Sequence, residues 1–374
     1  MEKEKLISTD NEPASNDYIP VNKKNLALLK PVIKETKVGK LLLPLDTTNR
    51  VRERSAKGQE QDWKSFLLIQ QAEMWARIRN LGSQPRSNLS ERTTYILGDA
   101  IGWLNELPAN SIHAVVTDPP YGLIEYQDKN HDKMKKGCGG VWRIPPSFDG
   151  AKRKPLPRFT VLSQKEITDL YNFFGVLADR LLNVLVPGGH IFIASTPLLS
   201  SLTFHAFYQS GFEKRGEVIR LIQTLRGGDR PKGAEKEFAN VSVMARSCWE
   251  PWGIFRRPIE GTVAKNLRRW GTGGLRRISD EEPFKDVINC SPTRGREKKI
   301  APHPSLKPQR FMRQVVRASL PLGIGIIYDP FAGSGSTLAA AEATGYFSVG
   351  TERNEDYYTL ACEVFGELST LPVE

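Results

Sequence analysis

An Asp-Pro-Pro-Tyr string at Asp118–Tyr121 follows directly after the apolar run 112–117. An amino group attached to a planar base is a poor nucleophile, because its lone pair is delocalised into the ring. A carboxylate at Asp118 and the carbonyl of Pro119, held rigid by two consecutive prolines, could accept hydrogen bonds from both amino hydrogens and free that lone pair. The ring of Tyr121 could stack on the face of a base that has left its duplex. The string therefore predicts chemistry at the amino group of a nitrogen base.

A second string, Asp-Pro-Phe-Ala-Gly-Ser-Gly, begins at Asp329 and also follows an apolar run. Its glycines, Gly333 and Gly335, would let the chain turn sharply and approach a ligand closely. The next predicted strand is followed by Glu352, whose carboxylate is placed to hold ribose hydroxyls. Position 338 is Leu, so the third glycine of a dinucleotide-binding loop is absent. The string predicts a nucleoside-bearing cofactor without a pyrophosphate.

Strands and helices alternate around both strings. Apolar runs predict strands at 94–97, 112–117, 190–195, 325–328 and 347–351. Helical periodicity predicts helices at 59–81, 100–107, 163–185, 197–211, 309–320 and 337–344. This alternation predicts an α/β fold with a mostly parallel sheet, helices on both faces and right-handed crossovers. In such sheets ligands collect beyond the carboxyl ends of the strands, where both strings lie. After Phe212 the periodicity is lost as far as residue 300, which predicts an irregular inserted module.

Positive charge is concentrated in two segments of a chain whose net charge is +11. Residues 129–158 carry a net charge of +7 and residues 213–300 a net charge of +8, so the rest of the chain is mildly acidic. This distribution predicts contact with a polyanion such as nucleic acid. The alternative, left open by charge alone, is that both segments are solvated loops.

Other patterns limit the class of protein. Four cysteines without a CxxC spacing predict free thiols in a reducing compartment, and we expect no metal site.

No apolar run approaches the length of a membrane span and the first residues are charged and polar, so we expect a cytoplasmic protein without membrane association. The apolar stripe at 59–81 leaves two alternatives open, packing on its own domain or contact with a second copy of the chain.

The motifs, in this order, resemble those of the S-adenosylmethionine-dependent DNA amino-methyltransferases in the permuted arrangement called the β class. Asp118–Gly122 resembles their catalytic motif, the string from Asp329 their cofactor motif, and His303–Pro308 the HP(S/T)xKP segment before it. The resemblance covers about residues 91–200 and 301–366. It implies a circularly permuted, Rossmann-like methyltransferase fold that acts on duplex DNA by base flipping and direct in-line transfer, without a metal or a covalent intermediate.

The resemblance also implies roles for individual residues. The expected catalytic residues are Asp118, Pro119, Pro120 and Tyr121. The residues expected to bind S-adenosylmethionine are Asp329, Phe331, Ala332, Gly333, Gly335 and Glu352, together with Asp99 and Lys307. In the two basic segments, the expected DNA contacts are Lys133, Lys135, Lys136, Arg226, Arg230, Arg268, Arg269, Arg276 and Arg277.

Four segments are expected: a flexible arm with an amphipathic helix (1–90), a catalytic half (91–212), a target-recognition insert (213–300) and a cofactor-binding half (301–374). Adenine N6 is the expected target, since family members that modify cytosine N4 more often carry Ser in place of Asp118. The alternatives are cytosine N4, methylation of RNA or protein, and a DNA-binding specificity protein on a retired methylase fold. A homodimer, a cognate restriction or defence partner and the recognition sequence are left open.

Overall fold

The computed structural model describes residues 59–120, 141–142, 156–157, 164–222, 230–231, 233–243, 245, 247–291, 293, 295–302 and 306–373. All of them belong to one compact unit, Pro44–Glu374. Several predicted features lie outside the described residues: the arm at 1–58, most of the basic segment 129–158, His303–Ser305, Tyr121, Lys133, Lys135, Lys136 and Arg226.

Helices and strands alternate along the described part of the chain. The helices are α1 (Gln59–Arg79), α2 (Ala100–Leu104), α3 (Gln164–Val184), α4 (Ser200–Gln209), α5 (Val263–Trp270), α6 (Gly295–Ile300), α7 (Gln309–Ser319), α8 (Ser336–Thr344) and α9 (Glu355–Thr370). The strands are β1 (Arg86–Asn88), β2 (Thr93–Leu97), β3 (Ile112–Thr117), β4 (Val141–Trp142), β5 (Leu156–Pro157), β6 (Leu185–Ala194), β7 (Glu213–Leu221), β8 (Trp249–Arg256), β9 (Val287–Asn289), β10 (Ile326–Asp329) and β11 (Phe347–Glu352). None of the described helices is long and apolar enough to cross a membrane.

One nine-stranded sheet organises the fold, in the order β1-β2-β11-β10-β3-β6-β8-β7-β9. The five strands from β2 to β6 in this order pair in parallel, whereas β8 runs antiparallel to both β6 and β7. The connections β10-α8-β11 and β3-α3-β6 run in opposite directions along the sheet, so right-handed crossovers put α8 and α3 on opposite faces. The predicted α/β fold with a mostly parallel sheet is confirmed.

The apolar spacing of the helices explains how they cover the sheet. Along α3, Leu170, Phe174, Leu177 and Leu181 recur at intervals of three or four residues and are at most 2% exposed. On α7, Phe311 and its neighbours join one core cluster with residues of β3, β6, β8 and β10. The sheet is therefore buried between helices, which fixes the strand ends that carry the two predicted motifs.

The stripe on α1 packs against the rest of its own unit. Ile78 is fully buried, and Trp75 is buried with its Nε1–H donating to the carbonyl of Glu91 over 3.0 Å. The side-chain oxygen of Gln71 accepts a hydrogen bond of 2.9 Å from the backbone N–H of Gly325. Of the two alternatives for this helix, packing on its own domain is confirmed.

The expectation that regular structure is lost after Phe212 is wrong. Glu213–Leu221 and Trp249–Arg256 form β7 and β8 within the main sheet, and β9 adds a further strand. Charged residues mask the alternation here, because Arg220 and Glu250 are buried and lie opposite each other in the strand register. Helix α9 was not predicted from the sequence either.

Candidate functional site

The two motif strings leave the sheet side by side. Thr117, the last residue of β3, donates a hydrogen bond of 2.7 Å from its hydroxyl to the Oδ1 atom of Asp329, the last residue of β10. Asp118 and Pro119 follow immediately, and Pro119 is buried. The structure therefore brings the Asp-Pro-Pro string and the glycine string together at the carboxyl edge of the sheet, the usual position for a ligand in such folds.

The carboxyl group of Asp329 fixes the start of the glycine loop. Its side chain is buried, and its Oδ1 atom also accepts a hydrogen bond of 3.0 Å from the backbone N–H of Phe331. Burial raises the pKa of Asp329 to about 7, against hydrogen bonds from Thr337 and Thr117 that lower it, and the nearby charge of Asp118 adds to the rise.

The glycine loop adopts the conformation that its sequence predicted. Gly333 and Gly335 have positive φ angles of 52° and 78°, which other residues rarely adopt. The carboxylate of Glu352 spans the loop, since Oε2 accepts from the N–H of Gly333 over 3.0 Å and Oε1 from the N–H of Asn354 over 2.8 Å. Burial raises the pKa of Glu352 above its usual value. Each oxygen retains a second lone pair, so hydroxyl groups of a ribose can still be accepted.

Close packing against β11 holds this loop in place. A Cβ atom on Gly350 would lie 2.8 Å from the Cβ atom of Ala332 and 3.0 Å from the side chain of Leu338. The backbone N–H of Ala332 donates to the carbonyl of Thr351 over 3.0 Å. Glycine at position 350 is thus a requirement of the close approach between the loop and the strand.

Two tyrosines that the sequence did not single out support the loop from the other side. The hydroxyl of Tyr95, on β2, donates to the carbonyl of Gly333 over 2.6 Å. Its ring stacks on Tyr358 of α9 with a centroid distance of 4.7 Å, and the hydroxyl of Tyr358 reaches Ser87. In the sequence, an aromatic residue within an apolar strand indicates only a core residue. The contact with Gly333 is what shows that Tyr95 supports the glycine loop.

Lys307 lies beside Asp118, the first residue of the Asp-Pro-Pro string. Its buried ammonium group is 2.8 Å from the Oδ2 atom of Asp118 and 3.0 Å from the Oε2 atom of Glu250. Burial opposes the charged form, yet the carboxylates of Asp118 and Glu250 raise the pKa of Lys307 above its usual value. Its predicted contact with a cofactor stays a prediction, because the observed partners are these two carboxylates.

Glu250 is in turn held by two further side chains. Its Oε1 atom accepts from Arg220 over 3.3 Å and from the indole N–H of Trp252 over 2.8 Å. Burial favours the neutral acid, but the charges of Lys307 and Arg220 prevail and lower the pKa of Glu250. A fixed carboxylate is therefore present one side chain away from Asp118.

Other predicted cofactor residues have structural partners in the described part of the chain. Asp99 is exposed and caps α2 by accepting from the N–H of Gly102 over 2.8 Å. The ring of Phe331 is half-buried and lies 6.0 Å from that of Phe173 on α3. A ligand contact of either residue stays a prediction. The described residues hold no group of three or more His, Cys, Asp or Glu side chains suited to a metal ion.

The predicted arginines of 213–300 do not lie together. The chain leaves the sheet after β7 and returns at β8, with the N–H of Ile222 donating to the carbonyl of Cys248 over 2.8 Å, so Arg230 belongs to a connection at the carboxyl edge. Helix α5, which carries Arg268 and Arg269, is joined to the start of β6 through Asn266. It therefore lies at the amino edge, about one strand length or roughly 17 Å from the motif strings.

Two more arginines also lie at the amino edge. Arg276 donates to the hydroxyl of Tyr346, just before β11, over 2.7 Å. Arg277 follows it in the chain and is exposed, with hydrogen bonds to the carbonyls of Ser279 and Glu281. A count of charges along the sequence could not show which arginines lie at which edge, because the edge depends on the direction of the neighbouring strands.

Comparisons with known proteins agree with the fold and the motifs. The sequence model of the N6/N4 methyltransferase family, described as DNA methylase, matches residues 243–363. The type II methyltransferase M2.LlaDCHI of Lactococcus lactis subsp. cremoris is 31% identical over 274 residues, which are 72% of this chain and 88% of that protein. The DNA adenine methyltransferase YhdJ of Escherichia coli (strain K12) is 24% identical over 285 residues, 74% of this chain and 83% of that protein.

A solved structure supports the architecture. The PvuII DNA methyltransferase (cytosine-N4-specific) aligns with 79% of this chain and 92% of its own length, with a TM-score of 0.51 at 15% sequence identity. At this identity the likeness concerns the fold alone.

Proposed function

The chain belongs to the N6/N4 family of DNA methylases, and from this premise we propose that it transfers a methyl group from S-adenosylmethionine to the N6 amino group of adenine in duplex DNA. The observation that carries the proposal is the hydrogen bond of 2.7 Å between Thr117 and Asp329, which joins the ends of β3 and β10. Direct transfer requires the methyl donor and the amino nitrogen to be close and in line. Two motif strings that leave neighbouring parallel strands support the required proximity.

The residues of the glycine loop fit S-adenosylmethionine. The left-handed glycines allow close approach of a ligand to the backbone, and Glu352 has acceptor capacity for a ribose. The carboxyl groups of Asp329 and Asp118 lie at the same sheet edge as the glycine loop. Asp329, Phe331, Ala332, Gly333, Gly335 and Glu352 would hold the ligand.

Asp118 and the carbonyl of Pro119 would accept hydrogen bonds from the target amino group and draw its lone pair out of conjugation. When bound, S-adenosylmethionine would supply an electrophilic methyl group: the amino nitrogen would form the new N–C bond, the C–S bonding pair would stay on sulfur, and one amino proton would leave to solvent. No covalent bond to the protein is needed. Stacking of the flipped base on Tyr121, which lies outside the described residues, belongs to the same proposal.

Adenine is favoured over cytosine by two observations. The first acceptor of the catalytic string is Asp118, whereas members of the family that act on cytosine N4 more often carry Ser there. One relative, YhdJ, is named a DNA adenine methyltransferase. Cytosine N4 is the second candidate target, since the PvuII enzyme of similar fold is cytosine-N4-specific.

The chain order supports assignment to the permuted β class. The catalytic strand β3 precedes the cofactor strands β10 and β11 in the sequence, although β3 and β10 are neighbours in the sheet. We further propose that duplex DNA is bound by Arg230 at the carboxyl edge and by four residues outside the described part of the chain, Lys133, Lys135, Lys136 and Arg226. The name of the relative M2.LlaDCHI, a type II methyltransferase, supports a role in restriction–modification.

Methylation of plasmid DNA tests the proposal. The purified protein is incubated with unmethylated plasmid and S-adenosylmethionine, and modified bases are mapped by single-molecule sequencing. N6-methyladenine at one short sequence is the expected result; N4-methylcytosine would move the assignment to the second candidate. D118N is the matched control, because it keeps the shape of Asp118 but not its charge, and should lower the transfer rate about 100-fold or more. Unmodified plasmid despite measurable cofactor binding would contradict the proposal.

A further inference from the structure

Four charged side chains of alternating sign form a chain from β7 to the catalytic string. Arg220 contacts Glu250 over 3.3 Å, Glu250 contacts Lys307 over 3.0 Å, and Lys307 contacts Asp118 over 2.8 Å. The side chains of Arg220, Glu250 and Lys307 are 4%, 12% and 9% exposed. The side chain of Asp118, at 16%, is the most exposed of the four. The chain of charges therefore starts in the interior of the sheet and ends in the crevice.

Stability of the fold does not account for this arrangement. Buried ion pairs are often no more stabilising than apolar residues of similar volume, because each charge loses its hydration. Here the surroundings are tailored to one carboxylate: Arg220 faces Glu250 across the β7–β8 register, and Trp252 donates to the same Oε1 atom. Arg220 is itself anchored on the carbonyls of Cys290 and Ser291. Such a rigid support indicates that the position of the Glu250 carboxylate is important for its contact with Lys307.

We propose that Glu250 is a positioning residue for methyl transfer, which holds the ammonium group of Lys307 against the Oδ2 atom of Asp118. The inference rests on the proposed function, since Asp118 acts there as acceptor for the target amino group. With Lys307 fixed, its contact with Oδ2 restrains the carboxylate of Asp118 from rotating away. A lysine alone would give weaker control, because its stem of four carbons is flexible.

The charge of Glu250 also determines whether Lys307 remains an ammonium group. Burial favours the neutral amine, and the carboxylates of Glu250 and Asp118 together overcome it. Without the charge at position 250, the pKa of Lys307 must fall. Lys307 would then lose its proton at an alkaline pH where the wild-type protein still carries it.

The test compares two substitutions on the same pair of strands. E250Q removes the charge next to Lys307 and keeps the shape of the side chain. E213Q is the matched control, because Glu213 on β7 pairs with Arg256 on β8 over 2.6 Å, at the far end of these strands from Asp118. Single-turnover methyl transfer, cofactor Kd and DNA Kd are measured for both variants and for the wild type, and melting curves check that each is folded.

We expect E250Q to lower the rate of transfer about tenfold or more, with both Kd values within about twofold of the wild type. E213Q should transfer at the wild-type rate. Equal losses in the two variants would mean that Glu250 is merely structural. If E250Q weakens cofactor binding but transfers normally at saturation, Lys307 serves the cofactor and the inference fails. Should E250Q not fold, E250D replaces it, since the shorter side chain stretches the contact with Lys307 and should also lower transfer at unchanged cofactor Kd.

A pH profile separates positioning from general damage. Between about pH 7 and about pH 10, the transfer rate of E250Q should decline at a lower pH than that of the wild type. The double variant E250Q/K307R should lose this decline, because a guanidinium stays charged throughout. A loss by the same factor at every pH would overturn the inference. Absence of methyl transfer by the wild-type protein would instead refute the proposed function, so the two failures are distinct.

Discussion

At the scale of single residues, the candidate site is held by contacts that the motifs do not encode. The motif strings supply Asp118, Asp329 and the glycines, and they were predicted to lie at one sheet edge because each follows a strand of a mostly parallel sheet. Tyr95 and Glu250 come from strands outside the motifs, and each touches a motif residue through one hydrogen bond or ion pair. The sequence alone could not identify these two residues, because a tyrosine or a glutamate in a strand does not reveal which residue its side chain will contact.

Tyr95 gives the prediction at this scale. Y95F removes the hydroxyl that donates to the carbonyl of Gly333 and leaves that carbonyl without this partner. We expect the affinity for S-adenosylmethionine to fall by about 1 kcal/mol, or roughly fivefold in Kd. The matched control is Y358F, which keeps the stacked ring and loses hydrogen bonds to Ser87 and Cys362 that do not involve the glycine loop. Calorimetric titration measures the affinity of both variants for S-adenosylmethionine. Equal affinities would contradict a role of the Tyr95 hydroxyl in supporting the glycine loop.

At the scale of elements, predictability depended on how burial was distributed along each segment. Strands β3, β10 and β11 are buried on both faces, so their apolar runs were recognised, and β3 was predicted with its observed bounds. Strand β6 was predicted from residue 190 onward but begins at Leu185, since Pro187 and the two glycines after it read as a turn. Strand β7 was missed because its burial is confined to Val218 and Arg220 among exposed or half-buried residues.

The contact between the glycine loop and β11 gives the prediction for this scale. G350A would place a Cβ atom 2.8 Å from that of Ala332, so the loop must shift. We expect a loss of about 1–3 kcal/mol in the free energy of unfolding, together with weaker cofactor binding. G366A on α9 is the control, because a Cβ atom there meets nothing within 4 Å, and a gain of about 0.5–1 kcal/mol is expected. Urea unfolding measures the free energy of unfolding of both variants. A G350A variant as stable as the wild type would refute the argument from close packing.

At the scale of the whole molecule, the predicted site residues are divided between the two edges of one sheet. The carboxyl edge carries the motif strings and the connection with Arg230, and the amino edge carries Arg268, Arg269, Arg276 and Arg277. DNA bound over the crevice would therefore contact only part of the basic surface. The net charge of each segment could be counted from the sequence. The edge of the sheet at which the arginines lie could not, because it depends on the antiparallel direction of β8.

Acid sensitivity of the folded state is a prediction for the molecule as a whole. Burial, followed by the charges of Arg256 and Arg215, lowers the pKa of His190 to about 3. Below about pH 6.5 the unfolded chain binds a proton at this residue and the folded one does not, so the free energy of unfolding falls by up to about 1.4 kcal/mol per pH unit. H190N should remove this part of the slope, whereas H205N, at an exposed position on α4, should keep it. Urea unfolding at pH values between about 4.5 and 7 measures the slope, and parallel curves for H190N and the wild type would contradict the assignment.

The hydrogen bond between Ile222 and Cys248 has a consequence for how such a protein could diversify. It closes the neck of a connection whose two ends stay fixed in the sheet whatever lies between them. Lengthening a closed loop costs little, about 0.6 kcal/mol for each doubling of its length. If this connection takes part in target recognition and Asp118 in catalysis, as proposed, new recognition sequences could arise by exchange of 223–247 between relatives, because Arg220 and Glu250 at its two ends remain paired in the sheet.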